Sequence, residues 1–556
     1  MTDGHAEAVR AFRWQVPPDC NIAQSACRRW ATDRARLALY WEDESGATAA
    51  FTYWDLLQAA NRLSNALAAL DVARSDRVAI LLPQRPETVV AYLACFQMGV
   101  VAVPLSFLFG PDALEYRLAN SEAKVAIVDP ETLPKLWAVR ERLPALAHVI
   151  GVAGARESAV HGWESLLGRA SRRFEAVATG PRDPAVIIYT SGTTGPPKGA
   201  LMPQSTLIGN LPGFECSHDG FPKEGDLFWS PADWAWTGGL WDALMPTLHH
   251  GEAILGYRGR FEPEKAFHLL DKYGVRNAFL FPTALKMMRK AVDRPRAKFD
   301  LDLRSMMSGG EPVGPALFEW CREELGVTVN EIFGQTEANY IVGNSHLVWP
   351  VKPGSMGRPY PGHRIAVIDD DAREVPAGTV GDVAVHRLGT DGTPDPVFFL
   401  GYWKNPEATA KKYSGDWCRT GDQAYADADG YLWYQGRADD MFKSAGYRIG
   451  PAEIENCLVK HESIANAAVV PSPDETRGAV VKAFILLAPG VAPSAGLEDS
   501  IRAHVKRHLA PYQQPRLIEF VGELPMTTTG KVQRRILRER EETRKKGSDP
   551  FSRKGI

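Results

Sequence analysis

Ala185-Val186-Ile187-Ile188-Tyr189-Thr190-Ser191-Gly192-Thr193-Thr194-Gly195-Pro196-Pro197-Lys198-Gly199 is the stretch from which the rest of the chain is read. Its first four residues are apolar and mostly β-branched, as in a short buried strand. The chain then enters a run of hydroxyls and glycines that ends in a lysine. Glycines let main-chain N–H groups turn toward an anion without obstruction. Thr190, Ser191, Thr193 and Thr194 add hydroxyl donors, and Lys198 adds a positive charge. This is the chemistry of a loop that grips nucleotide phosphates. It is not a G-x-x-x-x-G-K-[ST] loop: counted from Gly192, Pro197 stands before the lysine and Gly199 after it. The dinucleotide pattern G-x-G-x-x-G fails too.

Outward from that loop the pattern alternates. Arg77–Leu82, Val100–Leu105 and Lys124–Val128 read as buried strands. Glu87–Met98 reads as a helix with Val90, Tyr92, Leu93 and Phe96 on its apolar side. The same rhythm returns at Ala278–Phe281 and Leu303–Ser308. Strands separated by helices predict an α/β protein whose large N-terminal domain holds parallel-rich sheets covered by helices. Past about residue 360 short strands bounded by Gly and Asp predict a small β subdomain: Arg364–Ile368, Gly381–Val385 and Gly430–Tyr434. Past about residue 440 a compact α+β stretch begins. Pro451-Ala452-Glu453 opens a helix, and Ala467–Val470 and Val480–Leu487 read as paired strands. The charged tail from Arg538 to Ile556 reads as mobile.

Composition excludes several classes. Of 556 residues, 45% are hydrophobic and 24% charged, as in a globular protein of more than one domain. A net charge of −3 offers no basic surface for nucleic acid. No apolar run reaches the length of a membrane helix, and the N-terminus reads as neither a secretory signal nor a transit peptide. Seven dispersed cysteines without C-x-x-C spacing read as reduced, buried thiols, so a cytoplasmic location is expected. His249-His250 reads as a loop-end pair, not a metal site.

The phosphate loop resembles, almost letter for letter, the signature of the adenylate-forming superfamily of acyl-CoA synthetases, adenylation domains and luciferases. Further stretches resemble it in the same order. Ser308-Gly309-Gly310-Glu311-Pro312 is similar to a loop that lines adenine in relatives. Asn330-Glu331-Ile332-Phe333-Gly334-Gln335-Thr336-Glu337 is similar to a segment where Phe333 stacks on adenine, Thr336 bonds the α-phosphate and Glu337 holds Mg²⁺. In Arg419-Thr420-Gly421-Asp422 the resemblance gives Asp422 to the ribose hydroxyls, and in Gly436–Arg448 it gives Arg437 to ribose or phosphate. It makes Asp439 a hinge, Gly446 the passage for the pantetheine arm, and Arg448 a cation on ATP phosphates. In Leu524–Arg535 it makes Lys531 the bridge between substrate carboxylate and α-phosphate. The implied domains are 1–438, which binds ATP and acid, and 439–556, a mobile α+β lid. Lys531, Thr336 and Arg448 are the expected catalytic groups.

The chemistry is consistent with this. A carboxylate is a poor electrophile until it attacks the ATP α-phosphate and becomes an acyl-adenylate. Bringing two anions together needs the positive charge of Lys198, Arg448, Lys531 and Mg²⁺, with little need for a nucleophilic side chain. A thiol then displaces AMP. With 25 residues after Lys531 in the 556-residue sequence, no carrier domain is expected there, so free coenzyme A is the expected acceptor and a separate carrier protein the alternative. Trp229–Leu240 resembles the acid-pocket segment of acetyl- and medium-chain synthetases, with Trp236 as a wall. Acetate-restricted relatives carry tryptophan at the position of Gly334. Its loss predicts room for a medium-chain, branched or aromatic acid. A homodimer is compatible with the resemblance. A plain P-loop ATPase would release ADP and phosphate instead.

Overall fold

The computed structural model describes residues 3–190, 196–444, 447–474, 478–526 and 532–545. The chain divides into two compact units, residues 1–365 with 385–418, and residues 366–384 with 419–556.

Two large sheets carry the first unit. In the eight-stranded sheet Arg77–Leu81, Val101–Pro104, Val125–Val128, His148–Gly151, Val160–Gly162 and Pro184–Thr190 pair parallel with their neighbours. Lys198–Pro203 returns antiparallel to Pro184–Thr190, with Thr190 opposite Lys198. The two ends of the phosphate-loop segment are thus fixed by one hairpin. The nine-stranded sheet sets Leu227–Trp229, Asn277–Phe279, Ser305–Gly309 and Val329–Gln335 side by side and parallel. The expected parallel-rich α/β architecture is present. Helix Pro86–Met98 is covered on all sides, since every residue from Thr88 to Met98 is buried. The expected one-sided stripe was too narrow, because a helix that is apolar all round is a buried helix. A five-stranded sheet follows, in which Gly381–His386 lies between Ile365–Ile368 and Trp417–Ala426. The latter also pairs with Tyr413–Ser414 and Leu432–Arg437. This is the expected small β element, and the crossings between the units fall within its strands.

In the second unit Ile464–Asp474 and Gly478–Leu487 form a long antiparallel pair, and Leu517–Val521 adds parallel to the latter. Helices Pro451–Leu458 and Ala495–His508 pack on it through Ile454, Leu458, Ile501 and Val505. The expectation of a mobile tail from Arg538 is corrected for its first part, because Arg534–Lys545 is an α-helix. Leu537 joins a core cluster with Ala468, Val470 and Phe484. Glu541, 1% exposed, accepts from Lys482 Nζ and from Ser472 Oγ at 2.8 Å. One buried leucine and one buried ion pair anchor a helix whose sequence reads as solvated. Residues 546–556 lie outside the described residues. The cysteines are free, and all but the partly exposed Cys216 are buried. No described helix is long and apolar enough to cross a membrane.

Candidate active site

In an open parallel sheet, ligands sit beyond the carboxyl ends of the strands. That is where the expected residues of the first unit fall. Trp236 follows Leu227–Trp229, Gly310–Pro312 follow Ser305–Gly309, and Phe333–Glu337 end or follow Val329–Gln335.

Lys198, Glu337 and the phosphate hairpin meet on a residue the sequence reading did not single out, Tyr402. The two-residue strand Gly401–Tyr402 pairs antiparallel with Lys198–Pro203. The Lys198 ammonium lies over the Tyr402 ring, 5.2 Å from its centroid. The Tyr402 hydroxyl donates to Glu337 Oε1, and Glu337 O accepts from Phe399 N at 3.0 Å. Glu337 is 7% exposed, so Tyr402 touches a buried carboxylate through its hydroxyl and a cation through its ring. An acid–base couple positioned in this way suits a polyphosphate and its counter-ion better than it suits stability, for which partly buried charges return little.

Beside it, Thr336 Oγ1 and Thr237 Oγ1 share a hydrogen bond of 2.8 Å. Thr237 follows Trp236, whose ring stands edge-on to Phe109 at 5.6 Å. The threonine expected on the α-phosphate and the segment expected to hold the acid are therefore in contact. Thr237 lay within the quoted stretch but had no role assigned to it. Nearby, Ser106 Oγ donates to Asp233 Oδ2 at 2.8 Å, and burial pushes the Asp233 carboxyl upward.

Phe333, Gly334 and Gln335 are partly exposed, and Gln335 accepts from Lys412. Gly310 has φ +88° with open space where a Cβ would stand, and Thr283 Oγ1 donates to Glu311 at 3.0 Å. Gly334 sits where the register slips between Phe333 and Gln335. A Cβ there would meet Tyr340 N at 2.6 Å and Asn339 Oδ1 at 2.9 Å. A side chain at 334 would thus be crowded by this hairpin, a reason for glycine independent of room for an acid.

Glu331 is buried in the same strand, with Val313 N at 3.4 Å as hydrogen-bond donor. Burial pushes its carboxyl up to about 8. Between the ordinary value near 4.5 and about 8 the folded chain holds a proton that the unfolded chain has released. Stability therefore falls as pH rises through that window and levels off above it. Glu331→Gln keeps the acceptor for Val313. It is expected to stabilise the chain by a few kcal/mol at about pH 8 and by nothing near pH 4, where both side chains are neutral. Denaturant melts at the two pH values check this, and an equal gain at both would remove the ionisation argument.

In the second unit Asp422 and Arg437 stand opposite one another on paired strands, with Arg437 Nη1 donating to Asp422 Oδ2 at 3.1 Å. Burial opposes the charge on Arg437, but Asp422 and Asp439 outweigh it and hold the guanidinium above its ordinary value. Gly421, at φ +78°, leaves Arg437 room: a Cβ would lie 3.0 Å from Nη2. Asp439 accepts from Arg437 Nε at 3.3 Å, and its carbonyl accepts from Arg538 at 2.8 Å. Arg534, also unassigned from sequence, donates to Asp440 at 3.1 Å and to Glu455 at 2.8 Å. It stands three residues after Lys531, where Gln533 N donates to Pro525 O at 2.8 Å. Ser191, Gly192, Thr193, Thr194, Gly195, Gly446 and Lys531 lie outside the described residues. Arg448 is placed only by its backbone, opposite Lys443 in a hairpin.

Residues 26–392 match the AMP-binding enzyme family and residues 453–531 match its C-terminal domain. An acyl–CoA ligase of Bacillus subtilis, YtcI, is 36% identical over 91% of this chain and 93% of its own length. The acetyl-coenzyme A synthetase of the same organism is 35% identical over 96% and 92%. The mitochondrial acyl-coenzyme A synthetase ACSM3 of Rattus norvegicus is 34% identical over 96% and 92%. Among solved structures, the anthranilate CoA ligase AuaEII in complex with anthranoyl-AMP superposes with a TM-score of 0.85, at 29% identity over 96% of this chain and 99% of that one. The chain belongs to the AMP-binding enzyme family, within its acyl-CoA ligases.

Proposed function

We propose that this ligase activates a medium-chain, branched or aromatic carboxylic acid. The carboxylate attacks the α-phosphorus of ATP, pyrophosphate leaves, and the thiol of coenzyme A then displaces AMP from the acyl-adenylate. The observation that carries this reading is the Thr237–Thr336 hydrogen bond, which sets the acid segment against the phosphate threonine. Trp236 and Phe109 supply an aromatic wall for an apolar chain or ring. Glu337, a hard oxygen donor beside Lys198 and Tyr402, fits Mg²⁺, which when bound neutralises charge on the departing pyrophosphate. Asp422 and Arg437 are assigned to the ribose, Phe333 to adenine, and Arg448 and Lys531 to the phosphates.

A relative named for acetyl and one named for acyl groups in general are about equally identical to this chain, so overall likeness does not rank the acids. A pyrophosphate-exchange screen from acetate to dodecanoate, with branched and aryl acids, is expected to peak between butyrate and decanoate or on an aryl acid. Equal use of acetate would overturn the pocket assignment, and ADP as product would overturn the reaction.

Residues 439–556 are proposed to turn about Asp439 between the two steps. Replacing Gly446 with tryptophan is then expected to leave pyrophosphate exchange within a few-fold of the parent and to lower coenzyme A use by at least about 100-fold, since a passage for a flexible arm cannot admit an indole. Unchanged coenzyme A use would remove Gly446 from that passage.

A further inference from the structure

Away from the site just described, Cys457, His504 and His508 each bring a candidate ligand atom to within 4.8 Å of the others. Cys457 lies in the last turn of helix Pro451–Leu458, and His504 and His508 stand one turn apart on Ala495–His508. Residues four apart on a helix share a face, so both imidazoles meet the thiol from the same side. The thiol is buried, His504 is half-buried and His508 is exposed, which leaves the cluster reachable from solvent.

The hydrogen bonds around the cluster favour ligation. His504 Nε2 lies 3.0 Å from Cys457 O, and His508 Nδ1 lies 2.8 Å from His504 O. Each ring commits one nitrogen to a main-chain carbonyl, which fixes its tautomer and leaves the other nitrogen with its lone pair. Metal-bound histidines are oriented in this way. The two rings stand 4.5 Å apart by centroid, with His461 edge-on to His504 at 5.4 Å and its Nε2 on Ser500 Oγ. Adenylation and thioester formation make no use of these groups. One thiol and two imidazoles form a borderline-soft donor set, which suits zinc. Ligand atoms on tetrahedral zinc sit roughly 3.5 Å apart, so the cluster needs to close by about 1 Å, within reach of small tilts of the two rings and the thiol that keep the carbonyl bonds.

We propose that Cys457, His504 and His508 form a zinc site, with water in the fourth position, that staples helix Pro451–Leu458 to helix Ala495–His508. Binding replaces the Cys457 S–H proton with a sulfur–zinc bond and releases that proton to solvent.

Cobalt(II), added to the chelator-stripped full-length chain, is the probe. One equivalent is expected to bind with a thiolate-to-cobalt charge-transfer band and tetrahedral ligand-field bands, and zinc is expected to displace it. Cys457→Ser is expected to remove the charge-transfer band. His508→Gln, at an exposed position that should not disturb folding, is expected to weaken binding by at least about 10-fold. Zinc should raise the melting temperature of the parent chain more than that of His508→Gln. A parent spectrum without the charge-transfer band, or equal affinity in the parent and His508→Gln, would overturn the proposal.

Discussion

Lys531→Ala is expected to lower acyl-adenylate formation by at least about 100-fold, the scale seen when one electrostatic donor is taken from a transition state. Thioester formation from a supplied acyl-adenylate is expected to stay within a few-fold of the parent. The asymmetry follows from the charges. In the first step two anions meet, and the lysine is proposed to lie between the carboxylate and the α-phosphate. In the second step the carboxylate is already esterified, and the nucleophile is proposed to approach along the line the lysine occupied. Measuring pyrophosphate exchange and thioester formation separately tests this. Equal loss in both steps would assign Lys531 to folding or to general binding.

Glu337→Gln is expected to reduce turnover by about 100-fold or more, with a raised requirement for Mg²⁺. The substitution keeps an oxygen for the Tyr402 hydroxyl and removes only the charge, so folding should be little changed. Tyr402→Phe is the matched control. It deletes the hydrogen bond to Glu337 Oε1 but leaves the carboxylate and the ring beneath Lys198. Loss of one such bond costs about 1 kcal/mol, so a fall of less than about tenfold is expected. Turnover against Mg²⁺ concentration separates the two variants. If both lose activity equally, Glu337 acts through Tyr402 and not through a metal.

Part of the sheet framework was legible because some buried strands are written as continuous apolar runs, whereas strands such as Leu37–Asp43, Ala253–Arg258 and Ala338–Gly343 were not read. Arg77–Leu81, Val125–Val128 and Gly478–Leu487 were read close to their observed limits. The Arg534–Lys545 helix was not legible. Its apolar contribution to the core is mainly Leu537, and charges hold it further: Glu541, paired with Lys482 fifty-nine positions away in sequence, and Arg534, paired with Asp440 and Glu455. Local composition cannot show that a surface-like glutamate is buried by a distant lysine. Tyr402 was hidden for a related reason. It stands on a two-residue strand, 65 positions from Glu337, and a Gly-Tyr pair carries no signal of its own. Thr336 and Glu337 were legible because a motif places them, whereas Thr237 needed the fold to bring it to Thr336. The Cys457–His504–His508 cluster escaped for the same reason, since its members come from two separate helices.

Arg534 ties the segment just after Lys531 to Asp440, the neighbour of the proposed pivot, and to Glu455 on the following helix. Anchored in this way, Arg534 has little travel of its own relative to Asp440 and Glu455. Whatever swings Asp440 and Glu455 carries it along like a tooth on a single cogwheel. Under the proposed turn about Asp439, withdrawal of Lys531 and delivery of Gly446 are then expected to be one event with one barrier, and a half-turned enzyme that has lost the first without gaining the second should be scarce.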